Sequence, residues 1–225
     1  MQKNQTMKKI ITIAICGLMS LSVLGQELKS NKVEQIGYSL KLNKAYSDEL
    51  TETQLKARQD YKLGYSLIGR HNFKEAIPYL KKAIEIDTTG NCGSRKNGMA
   101  YSEIGYAYTR LGEFDNALPY LTKAIELNKY IPEPYLSLAI IQMQRGDKKK
   151  AEETLTTSIE YIPNYAMSYV QRGYLYNSDK KYKLALIDFK SYLELIDKQN
   201  HQQQTQPLTI DIKKQVKELE TKLNK

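Results

Sequence analysis

Tryptophan is absent from the 225 residues, phenylalanine occurs three times, and there are two histidines and two cysteines. Each scarcity excludes a class of protein. Cys16 lies in an apolar N-terminal run, which leaves Cys92 alone in the rest of the chain and allows no internal disulfide framework there. His71 and His201 stand far apart in polar surroundings, and neither has a companion at metal-ligand spacing. There is no Gly-rich phosphate loop, no nucleophile elbow and no Cys/His cluster. The residues therefore point away from an enzyme, and no cofactor and no metal are expected. Catalysis through Cys92, which sits in a Gly-rich stretch, is the distant alternative; an intermolecular disulfide there is another.

Long apolar runs are also scarce. The one candidate, Ile10–Leu24, is 15 residues long, short of the roughly 20 that cross a bilayer. Lys3, Lys8 and Lys9 precede it, and Val23-Leu24-Gly25 closes it with short side chains. This is the pattern of a secretory signal peptide, with cleavage expected between Gly25 and Gln26. A lipoprotein reading at Cys16 fails because Ile15 stands where a small residue is required. Export to a bacterial periplasm or cell envelope, or secretion, follows as an expectation. No transmembrane segment is expected in the mature chain. The net charge of +9 falls to +6 when the three lysines of residues 1–25, which include no acid, are removed. That mild excess, together with export, argues against nucleic acid as a partner.

What the chain has in quantity is tyrosine, 18 residues, within a folding composition of 41% hydrophobic and 26% charged residues. Large rings with a polar tip suit half-buried surfaces. The tyrosines fall into a repeat. Residues 73–85 (FKEAIPYLKKAIE), 114–126 (FDNALPYLTKAIE), 148–160 (KKKAEETLTTSIE) and 182–194 align, with alanine at 76, 117, 151 and 185. The spacings are 41, 34 and 34 residues, and the long first step contains the insertion Thr88–Gly98. From Ala76, the apolar Leu80, Ala83 and Ile84 follow at i+4, i+7 and i+8, one face of a helix. Pro78 and Pro119 are expected in first turns, where a missing N–H costs little. Thr51-Glu52-Thr53-Gln54 reads as a capping box opening a long helix.

A period of about 34 residues built from helix pairs resembles the tetratricopeptide repeat family. Leu63-Gly64, Ile104-Gly105, Leu138-Ala139 and Arg172-Gly173 stand where that family has a large-small pair; Leu67, Tyr108 and Tyr176 fill the next large position. Gly112 and Gly146 fall at the turn inside a hairpin and Pro163 at the turn after one, and Tyr101, Tyr135 and Tyr169 hold the first aromatic position, with Asp60 as the exception. Gln142, Arg172, Ser158 and Tyr192 depart from the pattern. The resemblance implies an all-α fold: an α-solenoid of about four hairpins with a C-terminal capping helix. The expected organisation is a signal peptide at 1–25 and a partly disordered N-terminal linker at 26–50. The array follows at 51–197, with repeats at 57–90, 98–131, 132–165 and 166–197. A Gln-rich linker at 198–207 and a capping helix at 208–225 complete the chain, the last carried by Ile212, Val216, Leu219 and Leu223 on one face.

The same resemblance implies that the fifth and ninth positions of each repeat line a concave groove. These are Tyr61, Ser102, Leu136 and Val170, and Tyr65, Tyr106, Ile140 and Tyr174. The partner-binding residues are expected to be Tyr61, Tyr65, Tyr106, Leu136, Ile140, Val170 and Tyr174; the bland reading is that these side chains pack on neighbouring helices. Members of the family that hold a chaperone's terminal carboxylate use Lys and Asn, where this chain has Tyr61 and Tyr65, so that clamp is missing. A basic rim of Arg70, Arg110, Lys148, Lys149, Lys150, Lys180 and Lys181 could meet an acidic partner, against the plainer reading of solvated turns. Glu85, Glu126, Glu160 and Glu194 recur once per repeat, but equivalent positions spread along a solenoid and do not converge on a point. The functional expectation is a scaffold holding a peptide or protein segment, with a structural subunit of an envelope or transport assembly as the alternative.

Overall fold

The computed structural model describes residues 51–94, 96–199 and 206–224; the expected signal peptide, the 26–50 linker and most of the Gln-rich linker lie outside them. The described residues from Glu52 onward form one compact unit. Its helices are α1 (Glu52–Gly69), α2 (Phe73–Ile86), α3 (Met99–Leu111), α4 (Phe114–Leu127), α5 (Glu133–Gln144), α6 (Lys148–Tyr161), α7 (Ala166–Ser178), α8 (Tyr182–Gln199) and α9 (Pro207–Leu223). No strand occurs among the described residues. Consecutive helices pair as α1–α2, α3–α4, α5–α6 and α7–α8. Each pair packs on the next, and α3 also touches both α1 and α5. α9 packs on α8. α8 extends through Gln199, two residues past the expected end of the array at 197.

The hairpins close through the residues that define the repeat. Ala76, Leu80 and Ala83 on α2, Ala117, Leu121 and Ala124 on α4, Ala151, Leu155 and Ser158 on α6, and Ala185, Phe189 and Tyr192 on α8 are all buried. A Cβ added at Gly105 would lie 2.4 Å from Leu121 Cδ2, and one at Gly173 2.6 Å from Phe189 Cε1. A side chain at either place would force the paired helices apart. Repeat three uses Ala139 at this position, itself fully buried.

The departures from the repeat pattern have partners. Arg172 donates from Nε to Asp188 Oδ2 and from Nη2 to Asp188 Oδ1, both at 2.8 Å, and from Nη1 to Thr156 Oγ1 at 3.0 Å. A charge thus replaces an apolar contact because its counter-charge sits one helix away. The Ser158 and Ser168 hydroxyls pair at 2.8 Å across the α6–α7 contact. Tyr192 pairs with Thr209 of α9 at 2.8 Å, so the ring fills the place a smaller residue holds where another repeat follows. Gln142 has no such account; its Oε1 is buried without a partner.

The first aromatic of repeats two to four pins the preceding connection. Tyr101 donates to the Thr88 carbonyl at 3.2 Å, Tyr135 to that of Lys129 at 3.1 Å, and Tyr169 to that of Pro163 at 3.1 Å. Pro78 and Pro119 are not in first turns. Each is the sixth residue of its helix, and each faces solvent. The carbonyl four residues earlier loses its helical donor there, at a place where water can replace it.

The turn inside each hairpin uses one left-handed residue. Gly112 has φ +77° and Gly146 +80°, while the equivalent residues of repeats one and four are His71 at +62° and Lys180 at +58°. The described residues of the insertion after α2 are tied by hydrogen bonds. Asp87 accepts from the backbone N–H of Thr89 at 3.1 Å and of Cys92 at 2.8 Å. Gly98 N–H donates to Thr89 O, and Ala100 N–H to Gly90 O. Cys92 is buried in the core beside Tyr61.

The face carried by the first helices as a candidate binding site

The first helix of each hairpin carries the predicted stripe, and the structure divides it into three parts. At one end Tyr61 is only 7% exposed. The insertion loop packs against this end: Cys92 shares its core, and a Cβ at Gly93 would meet the Arg58 stem at 2.9 Å. Burial, then the nearby Glu103 carboxylate, raises the Tyr61 phenol far above its ordinary range. At the other end Val170 is 1% exposed. Tyr174 donates to Asp211 Oδ2 at 2.6 Å and stands edge-on to Phe189. Burial and then that bond push its phenol up to about 12. Tyr61 and Val170 are therefore core residues rather than guest-facing ones, and Tyr174 is occupied by α9. Ser102 is buried too.

The middle is open. Tyr65 is 53% exposed, its ring stacked 6.0 Å from that of Tyr61. Tyr106 is half-buried, edge-on to Phe73 at 5.7 Å, and its hydroxyl accepts from Arg110 Nη1 at 2.8 Å. Leu136 and Ile140 on α5 are half-buried. This stretch of two rings and two aliphatic side chains is what the structure leaves of the stripe.

Two acids belong to the same region and were not singled out by the sequence. Glu103 precedes Tyr106 by three residues on α3, and Glu133 precedes Leu136 by three on α5, so each shares a helix face with a stripe residue. Burial, then the charge of Glu133, holds the Glu103 carboxyl at about 7. Burial and then Glu133 push Tyr165 up to about 12. The i, i+3 spacing was visible in the sequence, but only the approach of α3 to α5 sets one acid against the other.

Two profiles described as tetratricopeptide repeat match residues 57–129 and 108–171. Residues 57–171 are tetratricopeptide repeats. Among solved structures the chain is similar to MamA (24% identity, covering 80% of this chain and 96% of that one, TM-score 0.54). It is also similar to Pseudomonas aeruginosa PilF (19%, 76% and 71%, TM-score 0.60), and to a thermophilic tetratricopeptide-repeat protein of Thermus thermophilus (17%, 74% and 82%, TM-score 0.55). These likenesses establish the α-solenoid fold. No curated protein sequence matches the chain.

The basic rim of the tetratricopeptide array is largely neutralised. Lys148 pairs with Asp179, Lys150 with Asp147 at 2.8 Å, and Lys181 with Glu152 at 2.8 Å, while Lys149 lies 4.0 Å from Glu153. Arg110 is spent on Tyr106 and on the Phe73 face, 5.1 Å away. Only the side chains of Arg70 and Lys180, of these seven, have neither an acidic nor an aromatic partner among the described residues. The rim thus works mostly as a set of ties between turns and helices. Glu85, Glu126, Glu160 and Glu194 are all exposed. Cys92 is buried and its thiol, raised by burial and then by Asp87, titrates near 12, which disfavours the nucleophilic thiolate. Among the described residues no group of three potential metal ligands occurs, and no helix is long and apolar enough to cross a membrane.

Proposed function

We propose that this chain is an exported scaffold that holds a peptide or protein segment against Tyr65, Tyr106, Leu136 and Ile140. The observation that carries the reading is the contrast along one stripe: both ends are sealed by the protein's own loop and terminal helix, and the centre is left open on an array of tetratricopeptide repeats. Half-exposed rings with few torsions supply contact area at small entropic cost. Affinity capture from bacterial envelope extracts with the wild type and a Tyr65→Ala/Tyr106→Ala variant tests it. Loss of the co-purifying protein is expected; capture of the same protein by the variant would overturn the groove reading.

A second reading, a structural subunit joined through its outer face, is favoured by Leu184 and Ile187. They lie three residues apart on α8 and are 43% and 59% exposed. Leu184→Glu/Ile187→Glu should abolish capture in that case and leave it intact if the stripe is the site.

A further inference from the structure

We infer that the segment held by the open stripe is cationic, presenting a lysine or arginine side chain to Glu103 and Glu133 beside its apolar contacts. This rests on the groove reading above and adds the chemistry of the guest.

Charge complementarity is the argument. Several acids elsewhere on the helices are matched by cations. Asp188 has Arg172, Glu152 has Lys181, Asp115 has Arg145, and Glu220 has Lys190. Glu103 and Glu133 have no cation and no hydrogen-bond donor among the described residues; Glu103 instead feels the charge of Glu133, and the two glutamates act on the Tyr61 and Tyr165 phenols beside them. Two like charges on neighbouring helices in a half-buried place are unfavourable unless something positive joins them. Glu133 alone could be explained by its place in the first turn of α5, where the helix dipole favours an acid. Glu103 is in the second turn of α3 and has no such support. Both share their helix faces with the open stripe, Glu103 with Tyr106 and Glu133 with Leu136 and Ile140. A guest with alternating apolar and basic side chains would meet rings, aliphatics and carboxylates in turn. Its cation would supply what the protein withholds from these two acids.

The chain's overall charge makes the test discriminating. At +9, bulk attraction favours an acidic ligand, so preference for a basic one has to be local. Three fluorescein-labelled peptides of one apolar pattern, carrying lysine, glutamine or glutamate at the same positions, are titrated against the full chain at pH 8, where Glu103 is ionised. The lysine peptide is expected to bind at least about tenfold more tightly than the glutamate peptide. Glu103→Gln/Glu133→Gln, checked for helix content by circular dichroism, should bring the lysine peptide to the affinity of the glutamine one. Glu103→Lys/Glu133→Lys should reverse the order. Equal binding of the three peptides, a lysine preference that survives the Gln pair, or no binding of the lysine peptide overturns the inference. The groove reading is judged separately: if Tyr65→Ala/Tyr106→Ala releases captured proteins while charge makes no difference, the stripe stands and only its cationic guest falls.

Discussion

Three of the four departures from the repeat pattern, Arg172, Ser158 and Tyr192, are explained by what faces them one helix away. Arg172 and Asp188 show it most directly. The carboxylate is 2% exposed and accepts both arms of the guanidinium, so removing one partner strands a buried charge. Asp188→Ala should cost about 3–5 kcal/mol in urea unfolding, while Arg172→Met/Asp188→Leu should recover most of that. Glu103 works in the opposite sense. Glu133 from α5 and Tyr61 from α1 face it, and its folded value near 7 stands above the 4.5 of the unfolded chain. Its contribution is therefore most favourable below about pH 4.5 and is lost as pH rises through 7. Glu103→Gln should leave stability close to wild type at pH 5 and raise it by ~1–3 kcal/mol at pH 8, read from parallel thermal or urea denaturation. A gain of equal size at both pH values would show that ionisation is not the cause.

At the level of helices and turns, most of the design could be read in advance. Alanine spacing placed α2, α4, α6 and α8, and the large-small pairs placed α1, α3, α5 and α7, because these positions are fixed by close approach within a hairpin. What could not be read was anything decided by a neighbour distant in the chain. Tyr61 and Val170 look like guest-facing residues from their repeat positions. One is covered because the insertion loop folds back on α1, and the other because α7 sinks into the core it shares with α8 and α9. Prolines 78 and 119 were expected a turn earlier, since the alignment gives helix phase and leaves the starting residue open. The hairpin turns carry a testable cost. His71 and Lys180 hold the left-handed conformation that Gly112 and Gly146 hold elsewhere. His71→Gly should stabilise the array by ~0.5–1 kcal/mol in equilibrium unfolding, since relief of the left-handed strain exceeds the entropy that glycine adds to the unfolded chain.

Over the whole array, each hairpin packs chiefly on its neighbours, so damage should spread by adjacency. Leu155 is fully buried at the centre of repeat three. Leu155→Ala should cost about 2–5 kcal/mol, and hydrogen exchange should accelerate first in α5 and α6, then in α4 and α7, with α1 and α2 least affected. Uniform acceleration across all the described helices would instead indicate one indivisible unit. The proposed scaffold function, too, belongs to this scale: the open stripe draws on α1, α3 and α5, and no one hairpin contains it.

The packing of α9 limits how such a protein can grow. Ile212 and Leu219 already cover the surface of α8 on which another hairpin would settle, and Tyr192 is shaped for Thr209 rather than for a following repeat. A duplication appended at the C-terminal end of the array would therefore have to evict its own terminator. Lengthening by a unit copied between the second and third hairpins, where the 34-residue phase is already even, would preserve every junction and stretch the open stripe by one rung.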